Sequence, residues 1–253
     1  MKILDDIEII DLAIYTNKTL IFTDFHIGYE EALNKQGLMV PRFQFQEIMK
    51  RLETIFSRLK NKKIERIIVN GDLKHEFGTI SEQEWRHTLR LLDYFGQRCE
   101  EIILIKGNHD TILGPIAKKR NVRVLDYYII FTINNKTQKS FKNNYDKTKI
   151  LVIHGDKIPD KELLKGVSTI IIGHEHPAVS VREGARAELF KAFLVGKWKK
   201  YYIIVQPSFN LFVEGTDVLK EEVLSPFLKG NLRNFDAIIV ADKLYRFGKL
   251  KDL

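Results

Sequence analysis

The sequence predicts an α/β fold: a mixed sheet, or two sheets packed face to face, with helices outside. Two observations predict it. Short apolar runs alternate with helical periodicity in the first half, and the second half is mostly strand. A third shows where the strands meet. Five apolar runs stop at residues that bind metals: Thr23-Asp24-Phe25-His26, Asn70-Gly71-Asp72, Gly107-Asn108-His109-Asp110, His154-Gly155-Asp156 and Gly173-His174-Glu175-His176. Strands lying side by side would bring all five tips to one place.

In chain order, Ile7 to Ile14, a turn near Asn17-Lys18, and Thr19 to Thr23 read as a hairpin. Arg42 to Lys60 is a helix, with Phe45, Ile48, Met49, Leu52, Ile55, Phe56 and Leu59 on one face and Pro41 before its start. Ile64 to Val69 does not alternate with polar residues and reads as a buried strand. Ser81 to Phe95 is a helix opened by a Ser81/Glu84 capping box and ended by Gly96. Ile102 to Ile105 is the next buried strand, and Val122 to Ile133 holds one or two. Ile150 to Ile153, Thr169 to Ile172, Tyr201 to Val205 and Ala237 to Val240 follow, with a final hairpin at the C-terminal stretch. No repeat or linker interrupts the pattern, so one domain spanning 1–253 is expected. A polar lysine-rich surface loop is expected at about 134–148.

The chain has 253 residues, 44% of them hydrophobic and 29% charged, enough to bury a core without disulfides. The single cysteine, Cys99, excludes an internal disulfide and suits a reducing, cytoplasmic setting. Asp5 and Asp6 fall too early for a secretory signal. No apolar stretch approaches the ~20 residues that span a bilayer, so no membrane partner is expected. A net charge of +8 admits a polyanionic partner such as nucleic acid, as it also suits a lysine-rich background. A homo-oligomer stays open. Trp198 and Tyr201 could form an interface or cover the core.

The tips supply what a two-metal hydrolytic site needs. Such a site takes ligands from several places and one carboxylate that bridges both ions. Asp24 and His26 can face one ion if the strand end bends. Asp72, following Gly71, is the natural bridge. Asn108 offers an amide oxygen, and His154, His174 and His176 offer imidazole nitrogens. His174 and His176 share a face if the chain there is extended. Two divalent ions roughly 3.5–4 Å apart would activate a water for in-line attack on phosphorus. His109 is placed to stabilise the phosphate or protonate the leaving group, and Asp110 could orient it. His75 could contact substrate. His87 and Cys99 read as structural. Mixed nitrogen and oxygen donors suit Mn²⁺, the expected ion, and also Fe²⁺, Zn²⁺, Co²⁺ or Ni²⁺.

The order Asp-x-His, Gly-Asp, Gly-Asn-His-Asp, His, Gly-His-x-His resembles the calcineurin-like metallophosphoesterases, with matching motifs from Asp24 to His176. Pro207-Ser208-Phe209-Asn210 and Gly215-Thr216 look like the small prokaryotic ICC-like branch, in which some relatives are associated with DNA ligase and helicase genes. The resemblance implies a four-layer α/β/β/α sandwich of two mixed sheets flanked by helices. It implies one ion held by Asp24, His26, Asp72 and His176, and a second held by Asp72, Asn108, His154 and His174. His109 would be the catalytic histidine, with Asp110 as its partner. The activity implied is hydrolysis of a phosphate ester, a diester favoured, with a nuclease acting in repair as the alternative. His75 and Asp156 stand where many members have an acidic residue and a histidine, which affects substrate preference. A catalytically silent scaffold, as in the retromer coat, is the competing reading; such scaffolds lack the catalytic histidine, and His109 is present.

Overall fold

The structure, a computed structural model, describes residues 1–4, 6–77, 80–110, 113–133, 147–184 and 186–253. Seven strands form the first sheet in the order β1 (Lys2–Leu4), β2 (Ile7–Ile10), β3 (Ala13–Thr16), β4 (Thr19–Phe22), β5 (Arg66–Asn70), β6 (Glu101–Ile105) and β7 (Arg123–Leu125). β1 to β4 run as an antiparallel meander, and β4 to β7 are parallel. Between β4 and β7 lie the helices α1 (Tyr29–Lys35), α2 (Gln44–Arg58), α3 (Glu82–Gly96) and α4 (Gly114–Arg120). The second sheet is built on β8 (Tyr127–Ile133), β9 (Lys147–Ile153), β10 (Val167–Ile172), β13 (Tyr201–Val205) and β12 (Arg186–Trp198). β11 (Pro177–Glu183), β14 (Thr216–Asp217) and the terminal hairpin β15 (Asp236–Val240) and β16 (Leu244–Lys249) extend it. This is the expected α/β sandwich of two mixed sheets with helices.

Alternation along the strands packs the layers. Ile150, Val152 and Ile171 join a core with the first sheet and with Ile48 and Leu52 of α2 and Leu92 and Phe95 of α3. Leu151, Ile153, Ile170 and Ile172 point the other way, into a second core with Leu164, Phe227, Leu228 and Leu250. The amphipathic spacing of α2 and the capping box of α3 are as expected. Asn17 (φ 41°) and Lys18 (φ 57°) make the tight β3–β4 turn.

Some elements differ from expectation. The stretch from Val122 to Ile133 is two strands in different sheets, with Asp126 where the chain crosses between them. The β11–β12 hairpin was not read in the sequence, and neither were the seven-residue helices α1 and α4, too short to show a period. The expected loop at about 134–148 lies outside the described residues at 134–146, while Lys147 and Thr148 belong to β9. Tyr201 is buried, and Trp198 packs on it and on Phe227, so these aromatics cover the second core rather than an interface.

Candidate metal centre

β4, β5 and β6 are parallel neighbours in one sheet, and β9 and β10 in the other. Their carboxyl ends meet, as ligand sites in open α/β sheets do. Asp24, His26 and His176 form one cluster and Asp72, His154 and His174 another, with the donor atoms of each within 4.8 Å of one another. His26 Nε2 lies 3.2 Å from His176 Nε2, and His154 Nε2 lies 3.2 Å from His174 Nδ1 and 3.0 Å from Asn108 Oδ1. Asp72 Oδ2 reaches both clusters, 3.8 Å from His26 Nε2 and 3.4 Å from His154 Nε2.

These residues fit a cation. Ligands bonded at about 2.0–2.2 Å in tetrahedral geometry stand about 3.3–3.6 Å apart, close to the spacings seen. Among the described residues Asp24 Oδ1 is fully buried with no hydrogen-bond partner, and His154 Nδ1 stands 3.6 Å away; that placement is costly for a carboxylate unless positive charge faces it. Its other oxygen is satisfied by Thr23 Oγ1 at 2.8 Å and by the His174 amide at 3.0 Å. Burial opposes ionisation of Asp24 and Asp72, yet the imidazoles around them hold both below the usual carboxylate range. At His154, burial pulls the pKa down, but Asp72 and Asp24 overcome it and raise the imidazole to about 9. His26, driven by burial and then by His176, drops to about 3. Negative charge thus gathers between the clusters.

The backbone is bent to reach this arrangement. Among the described residues, ten non-glycine residues have positive φ, and five are Asp24, His26, Asp72, His174 and His176. Such conformations cost about 1 kcal/mol or more each and gather where function over-determines them. His174 and His176 are therefore not an extended pair on one face; they turn into different clusters. Glycines give the room. A Cβ on Gly71 would stand 2.0 Å from His154 Nδ1, one on Gly107 2.1 Å from Asp72 Oδ1, and one on Gly173 2.6 Å from Asp24 Oδ2. Gly71, Gly107 and Gly173 each clear space for a candidate ligand delivered by another strand.

The sequence of this chain matches the calcineurin-like phosphoesterase family over residues 18–202. The chain belongs to that family. No curated protein matches it by sequence. Among solved structures it resembles nuclease MPE from Pseudomonas putida, with a TM-score of 0.58 at 17% identity, over 94% of this chain and 93% of that one. Yfce, a phosphoesterase from E. coli, aligns with a TM-score of 0.41 at 10% identity over 92% and 97%. Zinc-complexed Vps29 from Entamoeba histolytica aligns with a TM-score of 0.38 at 16% identity over 91% and 98%. The likeness to the Pseudomonas protein is one of fold. The chain is a metallophosphoesterase, a hydrolase with buried His/Asp clusters suited to divalent metal.

Around the centre of this phosphoesterase, His109 is held differently from expectation. Its Nδ1–H donates to the His75 carbonyl at 2.5 Å and its amide donates to Asp72 Oδ1 at 2.9 Å. Asp110 instead accepts from the Gly107 and Leu73 amides, each at 3.2 Å, and laces the β5 and β6 tips together. Burial and the Asp72 charge push Asp110 up to about 6. Both Asp110 oxygens face backbone amides of Leu73 and Gly107, so the carboxylate is occupied there rather than at its neighbour's ring. His75 Nδ1 lies 3.3 Å from His26 Nδ1, so it orients a candidate ligand as well as flanking the site. His87 stacks on Phe45 at 4.3 Å, and burial pushes the Cys99 thiol up to about 11; both are structural, as expected.

The sequence reading missed several supports. Glu84 accepts from the His75 amide at 3.1 Å and the Glu76 amide at 2.9 Å, beyond its capping role. The Phe209 and Asn210 amides donate to the Thr23 and Asp24 carbonyls at 2.9 and 3.0 Å, and the Thr216 amide donates to the His176 carbonyl at 2.9 Å. Pro207–Asn210 and Gly215-Thr216 thus brace candidate ligands from behind; the motifs were visible, their task was not. Beside Asn108 and His154 a cleft of about 1140 Å³ opens over Lys106, Tyr127 and Lys157. Among the described residues no helix is long and apolar enough to cross a membrane.

Proposed function

We propose that this enzyme is a metal-dependent phosphodiesterase using two divalent ions, Mn²⁺ first among them. Asp24, His26, Asp72 and His176 would hold one ion, and Asp72, Asn108, His154 and His174 the other. The observation behind this is Asp72 Oδ2, within 3.8 Å of one cluster's imidazole and 3.4 Å of the other's. Bound ions supply Lewis-acid activation of the attacking water and neutralise charge on the phosphoryl oxygens. His109, its Nδ1–H donated to the His75 carbonyl, would protonate the leaving oxygen from Nε2 as the imidazolium, returning to the Nδ1–H imidazole. A diester is favoured because open space adjoins the candidate centre. The cleft lies beside Asn108 and His154, and Phe77 stands exposed beside His109.

Within the family, Pro207–Asn210 and Gly215-Thr216 favour the ICC-like branch, with 1–253 read as one domain. The free Cys99 favours the cytoplasm. A nuclease acting on DNA or RNA is the second reading, favoured by the net charge of +8. The scaffold reading is disfavoured by His109. The test is hydrolysis of bis-p-nitrophenyl phosphate beside p-nitrophenyl phosphate, using metal-stripped protein with Mn²⁺ restored and His109→Ala as control. Metal-dependent diester turnover, reduced in the control, supports the reading. Turnover of the monoester alone would replace it with a phosphomonoesterase.

A further inference from the structure

Phe77 follows the pinned segment His75-Glu76. Its ring centroid lies 3.8 Å from that of His109, tilted by 33°. It is nonetheless 57% exposed, so one face rests on the histidine and the other meets solvent. A single exposed phenylalanine is ordinary. This one has company. On the far side of His75, Tyr29 packs edge-on at 4.8 Å, Phe212 follows Tyr29 at 6.2 Å, and Phe43 stacks on Phe212 at 5.4 Å and 19°. Aromatic rings therefore flank the two histidines at the mouth of the centre.

The segment before Phe77 is firmly held. Glu84 accepts both the His75 and Glu76 amides, and the fully buried Lys74 donates to the Glu76 and His109 carbonyls. The ring is thus presented by an anchored backbone. A rigid, half-exposed aromatic face is what a planar base stacks on.

We propose that Phe77 is a specificity-determining residue, a stacking platform for the nucleobase of the leaving nucleoside, which makes the substrate a nucleotide-type phosphodiester. This rests on the phosphodiesterase reading. In an in-line displacement the general acid stands beside the leaving oxygen, so a group stacked next to His109 belongs to the leaving side. Stacking is indifferent to base identity, so the platform would select for a base without selecting which one.

The experiment compares KM for the dinucleoside phosphate TpT with two analogues, each lacking one of its two bases. Wild-type, Phe77→Ala and Phe77→Trp proteins are used with Mn²⁺, and folding is checked by circular dichroism. In wild type, loss of the leaving-side base is expected to raise KM about tenfold, equivalent to ~1.4 kcal/mol, and loss of the other base less. Which analogue is affected identifies the leaving oxygen. Phe77→Ala should erase the difference and Phe77→Trp should keep it. If wild type treats both analogues like TpT, or Phe77→Ala keeps the preference, the platform is wrong. Bis-p-nitrophenyl phosphate run alongside separates the two failures: no turnover of any diester defeats the phosphodiesterase reading itself.

Discussion

His109 and His75 are joined through the backbone: the His109 imidazole donates from Nδ1 to the His75 carbonyl oxygen at 2.5 Å. That bond fixes the tautomer and leaves Nε2 for the substrate. His109→Ala should therefore lower kcat by roughly 10²–10⁴ for a diester with an alkoxide leaving group. The loss should be smaller for p-nitrophenolate, which needs little protonation to depart. Equal losses on both substrates would point to phosphate binding rather than proton donation.

Glu84 carries the same relationship one step outward. Its buried carboxylate accepts three amides: His75 at 3.1 Å, Glu76 at 2.9 Å and Ser81 at 2.9 Å. Glu84→Gln replaces one acceptor oxygen with a donor. The expected cost is about 1–3 kcal/mol of stability, read by urea unfolding, and a fall in kcat for the alkoxide diester as His75 and His109 shift together. Loss of stability with an unchanged kcat would confine Glu84 to capping α3.

One oxygen of Asp72, Oδ2, lies near the Nε2 atoms of His26 in one cluster and His154 in the other. Asp72→Ala should reduce bound Mn²⁺ from about two per chain to below one and cut diester turnover by roughly 10³ or more. Metal content by mass spectrometry and turnover on the same sample decide this. Full metal occupancy in the variant would remove Asp72 from the bridging position.

What the sequence could show follows from what side chains can show. The candidate ligand residues were legible because apolar strands stop at Asp, Asn and His, and no packing need accounts for that. The partner of His109 was not legible, because it is a carbonyl, and every residue has one. Glu84 was visible only as the third residue of a capping box; its contact with His75 depends on how α3 lies against the β5 tip. The shared face expected of His174 and His176 in extended chain does not form, because both residues have positive φ and the sequence alone does not mark where the chain takes that conformation. The sheet crossing near Asp126 was hidden for a similar reason, since β7 and β8 follow one another with Asp126 alone between them and only the tertiary fold separates them.

Lys191 is buried in β12, donating to Ser208 Oγ at 3.1 Å and the Val213 carbonyl at 2.6 Å. Burial lowers its pKa from 10.5 to about 8, against the pull of the Glu214 carboxylate. Between those values the unfolded chain binds a proton that the native protein does not. This group therefore makes stability rise with pH across that window, by about 3 kcal/mol at most. Below pH about 8 its penalty is full and constant. Lys191→Met should flatten the difference in urea-unfolding free energy between pH 8 and pH 10 relative to wild type. An unchanged difference would place the titration elsewhere.

Glycines separate the site from the scaffold. Gly96 closes α3 ahead of β6 and Gly107 follows β6, and their surroundings differ. A Cβ on Gly107 would stand 2.1 Å from Asp72 Oδ1 and 2.5 Å from the Asp72 backbone nitrogen, which cannot move without shifting the β5 tip. A Cβ on Gly96, at the end of α3, would meet nothing within 4 Å. Gly107→Ala should weaken Mn²⁺ binding by about 10–100-fold, the scale of changes that misplace a ligand without removing it. Gly96→Ala should leave metal binding alone and add up to about 1 kcal/mol of stability through lost freedom in the unfolded chain. Competition against a chelating dye measures the first and urea unfolding the second. If Gly107→Ala bound metal as tightly as wild type, Asp72 would have room to spare, and the tight packing of strand tip against ligand would not be what sets the geometry of the centre.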